Sequence, residues 1–264
     1  MIANLRFAWV MFLATGLYLG QVSNSAAHEL IHRAARFPRA IGRWAYVSML
    51  FGHHASAHPK VHHRHVATPL DPNSARRGES LYAFLPKAWM GSFRRGLSAE
   101  ADELRRSGHG AVSFRNPYWL YGIGSFAVLL ASYALAGEPG VAVHIALACW
   151  ATIQLLAADY VQHYGLTRRK TSAGYDPIGV QHSWNAPKIA STLLMHQAPI
   201  HSTHHLGRPP TDTAESQPNL PYSLPAMVTL AFFPQTFRRV MDRALAKLEN
   251  PGESGGKTGM ELPA

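Results

Sequence analysis

Uncharged apolar stretches alternate with basic ones along this chain, and that pattern organises it more than any average does. Phe7 to Ala27 contain no Asp, Glu, Lys or Arg. As a helix rising 1.5 Å per residue, this run extends roughly 30 Å, the thickness of a hydrocarbon core. Trp119 to Ala136 form a second uncharged run, and Pro139 to Ala158 a third, interrupted by His144. Gly137, Glu138 and Pro139 make a polar turn between them, so the two runs are expected to form a helical hairpin. Ile41 to Gly52 and Ser223 to Phe237 are apolar but shorter, the latter with Pro225 and Pro234, and read as interfacial or re-entrant pieces. The pattern predicts an all-α integral membrane protein with spans at 7–27, 119–136 and 139–158, in one domain over 1–249. The tail, 250–264, is expected to be disordered.

Charge adds an orientation. The chain carries 25 Lys and Arg against 15 Asp and Glu, a formal net charge of +10. Its mean hydropathy of -0.08 would suit a soluble basic domain, but the basic residues cluster beside the apolar runs. Lys60, Arg64, Arg76, Arg77, Lys87, Arg94, Arg95, Arg105, Arg106 and Arg115 lie in the long segment after the first run. Arg168, Arg169 and Lys170 follow the third, while the hairpin turn offers only Glu138. The positive-inside bias then places residues 33–116, and everything after 163, in the cytoplasm. A bacterial inner membrane is the expected location. No nucleic-acid-reading module accompanies the basic residues, and no nucleic-acid partner is expected. Cys149 is the single cysteine, which excludes disulfides, CxxC zinc sites and a built-in iron–sulfur centre.

Sixteen histidines are present, eight of them between His28 and His65. His28-Glu29-Leu30-Ile31-His32 sets two imidazoles one helical turn apart on one face. Alone it would also read as the HExxH of a zinc protease, with Glu29 as the base. His58, His62 and His63 repeat the four-residue step with an extra neighbour, His201, His204 and His205 form a third group, and His163 closes the third span. All four groups are expected at one cytoplasmic membrane face, where an imidazole cluster is costly unless something binds it. One zinc takes four ligands; nine candidates suggest two metals. Imidazole suits Fe, Cu, Zn and Ni alike. His53 and His54 are expected in a loop or beside the ligands, His109 in a turn, and His144 as a hydrogen-bonded structural residue.

These boxes resemble the membrane di-iron superfamily of fatty acid desaturases and hydroxylases, and within it the alkane 1-monooxygenases. Residues 58–76 follow that family's HxxxHHxxVATPxDPxSAR. His163-Tyr164-Gly165-Leu166 matches its HYGL, and His182-Ser183-Trp184-Asn185 a further motif. Pro218-Asn219-Leu220-Pro221 and Arg239-Val240-Met241 match its closing segment. The resemblance covers roughly residues 15 to 245. It implies that His28, His32, His58, His62, His63, His163, His201, His204 and His205 bind two non-haem Fe ions. It implies O2-dependent hydroxylation of a terminal methyl group of a hydrophobic substrate such as a medium-chain n-alkane. Electrons would come from a rubredoxin or ferredoxin and its NAD(P)H reductase.

Residues beside the ligands would be Glu29, Asp71, Gln162, Gln181, His182 and Thr203. The last of these and the two glutamines stand where the family carries acids. The family also has several spans before its first box, so an N-terminally shortened form is expected. Two alternatives remain open at this point: a lipid desaturase or hydroxylase, and a non-catalytic histidine-rich metal-binding membrane protein.

Overall fold

A computed structural model describes residues 2–186, 201–202 and 217–250, and the tail expectation lies outside them. The described chain is mostly helical. Helix α1 (Ile2–Leu17) runs without a break through a π-helical segment (Tyr18–Ser23) into α2 (Asn24–Ile31). The outer face of α1 shows Phe7, Trp9, Val10 and Leu13, the reverse of a water-facing surface. Its inner face is small. A Cβ on Gly16 would strike the Trp150 indole, and one on Gly20 would strike the Gln154 amide. The spacing Gly16-x-x-x-Gly20 therefore lets this segment lie close against α7 (Pro117–His163).

Helix α7 is, among the described residues, the one element long and apolar enough to cross a membrane. It is not straight. Ala136 and Gly137 leave the helical region, Gly137 at φ 62°, a conformation that favours glycine. Ser132 Oγ and His144 Nδ1 are 3.2 Å apart, whereas a continuous helix would separate them by roughly 18 Å. The chain therefore folds back here as a hairpin. Its first half starts at Pro117, after an Asn116 cap whose side chain accepts from the Tyr118 amide. The second half delivers Asp159, Gln162 and His163 into the interior. His144 has the structural role expected of it, since its Nε2 lies 2.8 Å from the Ser48 carbonyl.

The segment between the first helices and the hairpin is folded around the histidines. Helix α3 (Arg36–Ser48) crosses α2 closely at Gly42, where a Cβ would meet the Ala27 carbonyl. The short α4 (His54–Ala57), a π-helical turn (His58–His62) and α5 (His63–His65) carry the second box. Helix α6 (Leu81–Arg106), capped by Ser80, packs against them. Lys60 ties the box to α6 by reaching Glu100 at 2.7 Å and Glu103 at 2.6 Å. A two-stranded hairpin, β1 (Lys170–Thr171) and β2 (Gly174–Tyr175), follows α7. The apolar piece after Ser223 forms α8 (Leu224–Ala231) and begins α9 (Pro234–Glu249). The core joins Tyr46, Phe51, Phe84, Tyr160, Tyr164, Trp184 and Phe237, and the rings of Tyr46 and Phe51 lie against His54.

Candidate metal centre

Histidine nitrogens converge in two adjoining groups. The first holds His28, His32, His58 and His63, and the second His62, His163 and His201, with the possible ligand atoms of each group within 4.8 Å of one another. In the first, the Nε2 atoms of His28 and His63 lie 2.6 Å and 3.0 Å from His58 Nε2. In the second, the Nε2 atoms of His163 and His201 are 3.0 Å apart. His204, His205 and Thr203 lie outside the described residues.

The winding of the second box decides which histidine joins which group. An α-helix would set His58 over His62, four residues on. The backbone here is a π turn in which the His63 amide bonds to the His58 carbonyl, so the five-residue step is aligned. His63 joins His58 in the first group, and His62 meets His163 in the second, their ring centres 4.8 Å apart. The four-residue neighbours keep contact as well, the His58 and His62 rings stacking with centres 5.0 Å apart.

Asp71 orients the second group. Its Oδ2 receives His62 Nδ1 at 2.8 Å and the Ser74 hydroxyl at 2.7 Å, and its Oδ1 accepts from the Asn73 amide at 3.1 Å. A proton on Nδ1 leaves Nε2 as the lone-pair donor. Burial lowers the His62 pKa, but the charge and hydrogen bond of Asp71 outweigh that, and the net direction is up. Burial raises Asp71, and the charge and hydrogen bond of His62 bring it below its ordinary value. Elsewhere desolvation wins. Burial, then the charge of His62, takes His32 to about 4. Burial, then neighbouring histidines, holds His54 and His58 well below the imidazole range. These rings are neutral at pH 7, the state in which imidazole binds a metal. The donor set therefore fits a histidine-ligated metal ion.

Two motifs clamp the third box to the end of α7. Trp184 donates its backbone amide to the Gln162 carbonyl at 2.8 Å and its indole N–H to the Tyr164 carbonyl at 2.9 Å. Asn185 Nδ2 donates to Ser202 Oγ at 2.8 Å and Gln217 Oε1 at 2.6 Å, while its Oδ1 accepts from the Ser202 amide at 2.9 Å. Ser202 adjoins His201, so Asn185 fixes the backbone next to that histidine. The loop after the second box is held too, because the Gly165 amide donates to the Ala75 carbonyl at 3.0 Å.

Not every expected neighbour reaches the centre. Glu29 points outward and pairs with Arg33, one turn on, at 2.8 Å. On a helix, residues 28 and 29 face different sides, so Glu29 serves no base role at this site. Gln181 is exposed, its side chain folded over Gly179. Gln162 is buried and lines a narrow cavity with His28, His54, Asp159 and His201. His182 is buried, and its Nδ1 accepts from the Gly179 amide at 2.9 Å. His109 sits in its turn, with Nδ1 2.7 Å from the Ser107 carbonyl.

One residue facing the cavity escaped the sequence reading, Asp159. Of the two places expected for His54, a loop or beside the ligand candidates, the structure shows the second: it is helical, and its ring stacks 4.9 Å from His58. Among the described residues its buried Nε2 meets no partner. The four-residue step to His58 was the available signal. Asp159 lies one turn before His163, accepts from Asn73 Nδ2 at 2.7 Å, and faces the same cavity.

Two adjoining imidazole groups, one partly open and one buried with a carboxylate on His62, define a histidine-rich candidate metal site of the membrane-desaturase type. The family model for fatty acid desaturases matches residues 5–208, and the chain belongs to that family. It is 35% identical to alkane 1-monooxygenase 1 of Alcanivorax borkumensis, over 88% of this chain and 59% of the relative. It is 35% identical to alkane 1-monooxygenase of Ectopseudomonas oleovorans, over 89% and 61%. The xylene/toluene monooxygenase hydroxylase component of Pseudomonas putida is 32% identical over 68% and 48%. The chain spans about three fifths of the length of the curated relatives it matches. Family and histidine groups together point to non-haem iron.

Proposed function

We propose that this protein hydroxylates an unactivated terminal methyl group of a hydrophobic compound, such as a medium-chain n-alkane. One oxygen atom of O2 enters the product and the other leaves as water: R–CH3 + O2 + 2 e⁻ + 2 H⁺ → R–CH2OH + H2O. The observation that carries this reading is the pair of adjoining imidazole groups in a chain similar to proteins named alkane 1-monooxygenase. We assign one iron to each group, with His204 and His205 completing the nine ligands. Bound non-haem iron supplies the activation of O2.

The chain's own residues do the rest. Asp71 holds the His62 tautomer, and Asn185 holds the segment bearing His201. The narrow cavity touches His28 of one group and His201 of the other, so a methyl group at its end would lie beside both. The outward apolar side chains of α1 and α7 support placement in a bacterial inner membrane. The basic segments support a cytoplasmic metal face, open to a rubredoxin or ferredoxin reduced by NAD(P)H.

The test is turnover by the full chain in nanodiscs with rubredoxin, its reductase, NADH and isotopically labelled O2. n-Octane should yield 1-octanol carrying one labelled atom. Products that are desaturated acyl chains, or no oxidation with fully loaded iron, would overturn the reading.

A further inference from the structure

Three amides between the first helical segment and α7 hold one another in a forced order. Gln154 Nε2 donates to the carbonyls of Gly16 at 2.9 Å and Trp150 at 3.3 Å. Backbone carbonyls only accept, so this amide is not free to flip. Its Oε1 is left to accept from Gln21 Nε2 at 2.8 Å, and Gln21 is left presenting Oε1. Asn24 is fixed in the same manner, its Nδ2 donating to the carbonyls of Ala151 at 3.0 Å and Gly20 at 3.4 Å. Both leftover oxygens, Gln21 Oε1 and Asn24 Oδ1, are buried and meet no donor among the described residues. Both residues line the same cavity as His28 and His201.

A passage for plain hydrocarbon gains nothing from buried acceptors, because their desolvation goes uncompensated. A hydrogen-bond donor would satisfy them. We propose that this cavity takes an apolar substrate carrying a hydroxyl group, whose O–H donates to one of these oxygens while its methyl end meets the metal centre. A water donating to the other oxygen and to the substrate's hydroxyl oxygen completes the arrangement. Asn24 and Gln21 precede His28 by four and seven residues, roughly 6 and 10 Å along a helix axis. Hydroxyl and reacting methyl therefore sit at opposite ends of a medium-length chain, as in an alkan-1-ol. The inference rests on the oxygenase reading above, with the balance HO–R–CH3 + O2 + 2 e⁻ + 2 H⁺ → HO–R–CH2OH + H2O. The electrons come from the same external iron–sulfur donor.

The test compares 1-octanol with n-nonane, which places a methyl where the hydroxyl was, and with methyl octyl ether, which lacks the O–H. Equilibrium binding to the iron-loaded full chain in nanodiscs is measured for wild type, Asn24→Leu and Gln21→Met. Partition into the bilayer cancels when the octanol-to-nonane affinity ratio is compared between proteins. That ratio should fall about five- to tenfold in each variant, the worth of one hydrogen bond, and the ether should behave like nonane. Gln21 is only partly buried, so Gln21→Met remains informative even where Asn24→Leu misfolds. An unchanged ratio would mean that the amides hold water only, and would overturn the proposal. Product analysis separates the two readings. Nonane oxidised without any octanol preference leaves the oxygenase standing and removes the hydroxyl site. Preferential octanol binding with no oxidation of either compound does the reverse.

Discussion

The two histidine groups share one ligand chemistry and differ in nearly everything around it. In the first, only His58 is buried, while His28, His32 and His63 stay partly open; in the second, all three described members are buried. The second has a carboxylate bonded directly to one of its histidines, Asp71 on His62. In the first, the acid nearest in sequence, Glu29, turns outward to Arg33. Burial without a carboxylate keeps His32 and His58 neutral, whereas Asp71 raises His62 against the same burial. The difference teaches that ligand spacing alone does not make two equivalent sites. Neighbouring charge and water access set how firmly each is held and how it is tuned.

The most severe way to break the comparison is His62→Ala. It should remove the metal of the second group and all hydroxylation, while His109→Ala leaves both intact; metal content and product yield check this. Next is Asp71→Asn, which keeps the shape and removes the charge. Metal affinity of the second group should fall about 10–100-fold with little effect on the first, measured by competition with a chelator. A chelator applied to wild-type protein should then strip metal in two phases, the partly open first group emptying before the buried second; a single phase would erase the contrast.

Smaller still is Gln162→Glu. A negative charge lining the shared cavity should lower the reduction potential without loss of metal, because it favours the oxidised ion. Spectroelectrochemistry reads the sign, and an unchanged or raised potential would show that position 162 does not tune the site. The smallest effect is on the pH dependence of the metal-free protein. His32 and His53, taken to about 4 mainly by burial, bind protons when unfolded but not when folded. Stability should therefore fall as pH drops from about 6.5 to 4. The raised pKa of His62 acts oppositely, stabilising below 6.5 and losing that contribution as pH climbs through its folded value. Thermal melts of wild type and His53→Phe should show a shallower acid-side loss in the variant.

Much of this was legible in the sequence because it depends on local pattern. Gly137-Glu138-Pro139 between two uncharged runs marked the hairpin, and histidines at helical spacing marked the two groups. Less legible was anything set by winding or by distant partners. The π turn that pairs His63 with His58 leaves no compositional mark. The roles of Asn185 and Asp159 depend on Ser202, Gln217 and Asn73, residues far away in sequence. The place of Glu29 depends on the side of the helix it takes, and its motif does not encode that it turns toward Arg33. His54, four residues before His58, stacks on it as one of the two expected placements has it.

Metal stoichiometry tests the two-group centre most directly. Iron analysis with Mössbauer spectroscopy of the purified full chain should find two irons in distinguishable environments. His28→Ala and His163→Ala should each retain one, and the surviving signal should differ between them. A single metal ion in the wild type, zinc in place of iron, or identical residual signals in the two variants would contradict two separate histidine-held irons.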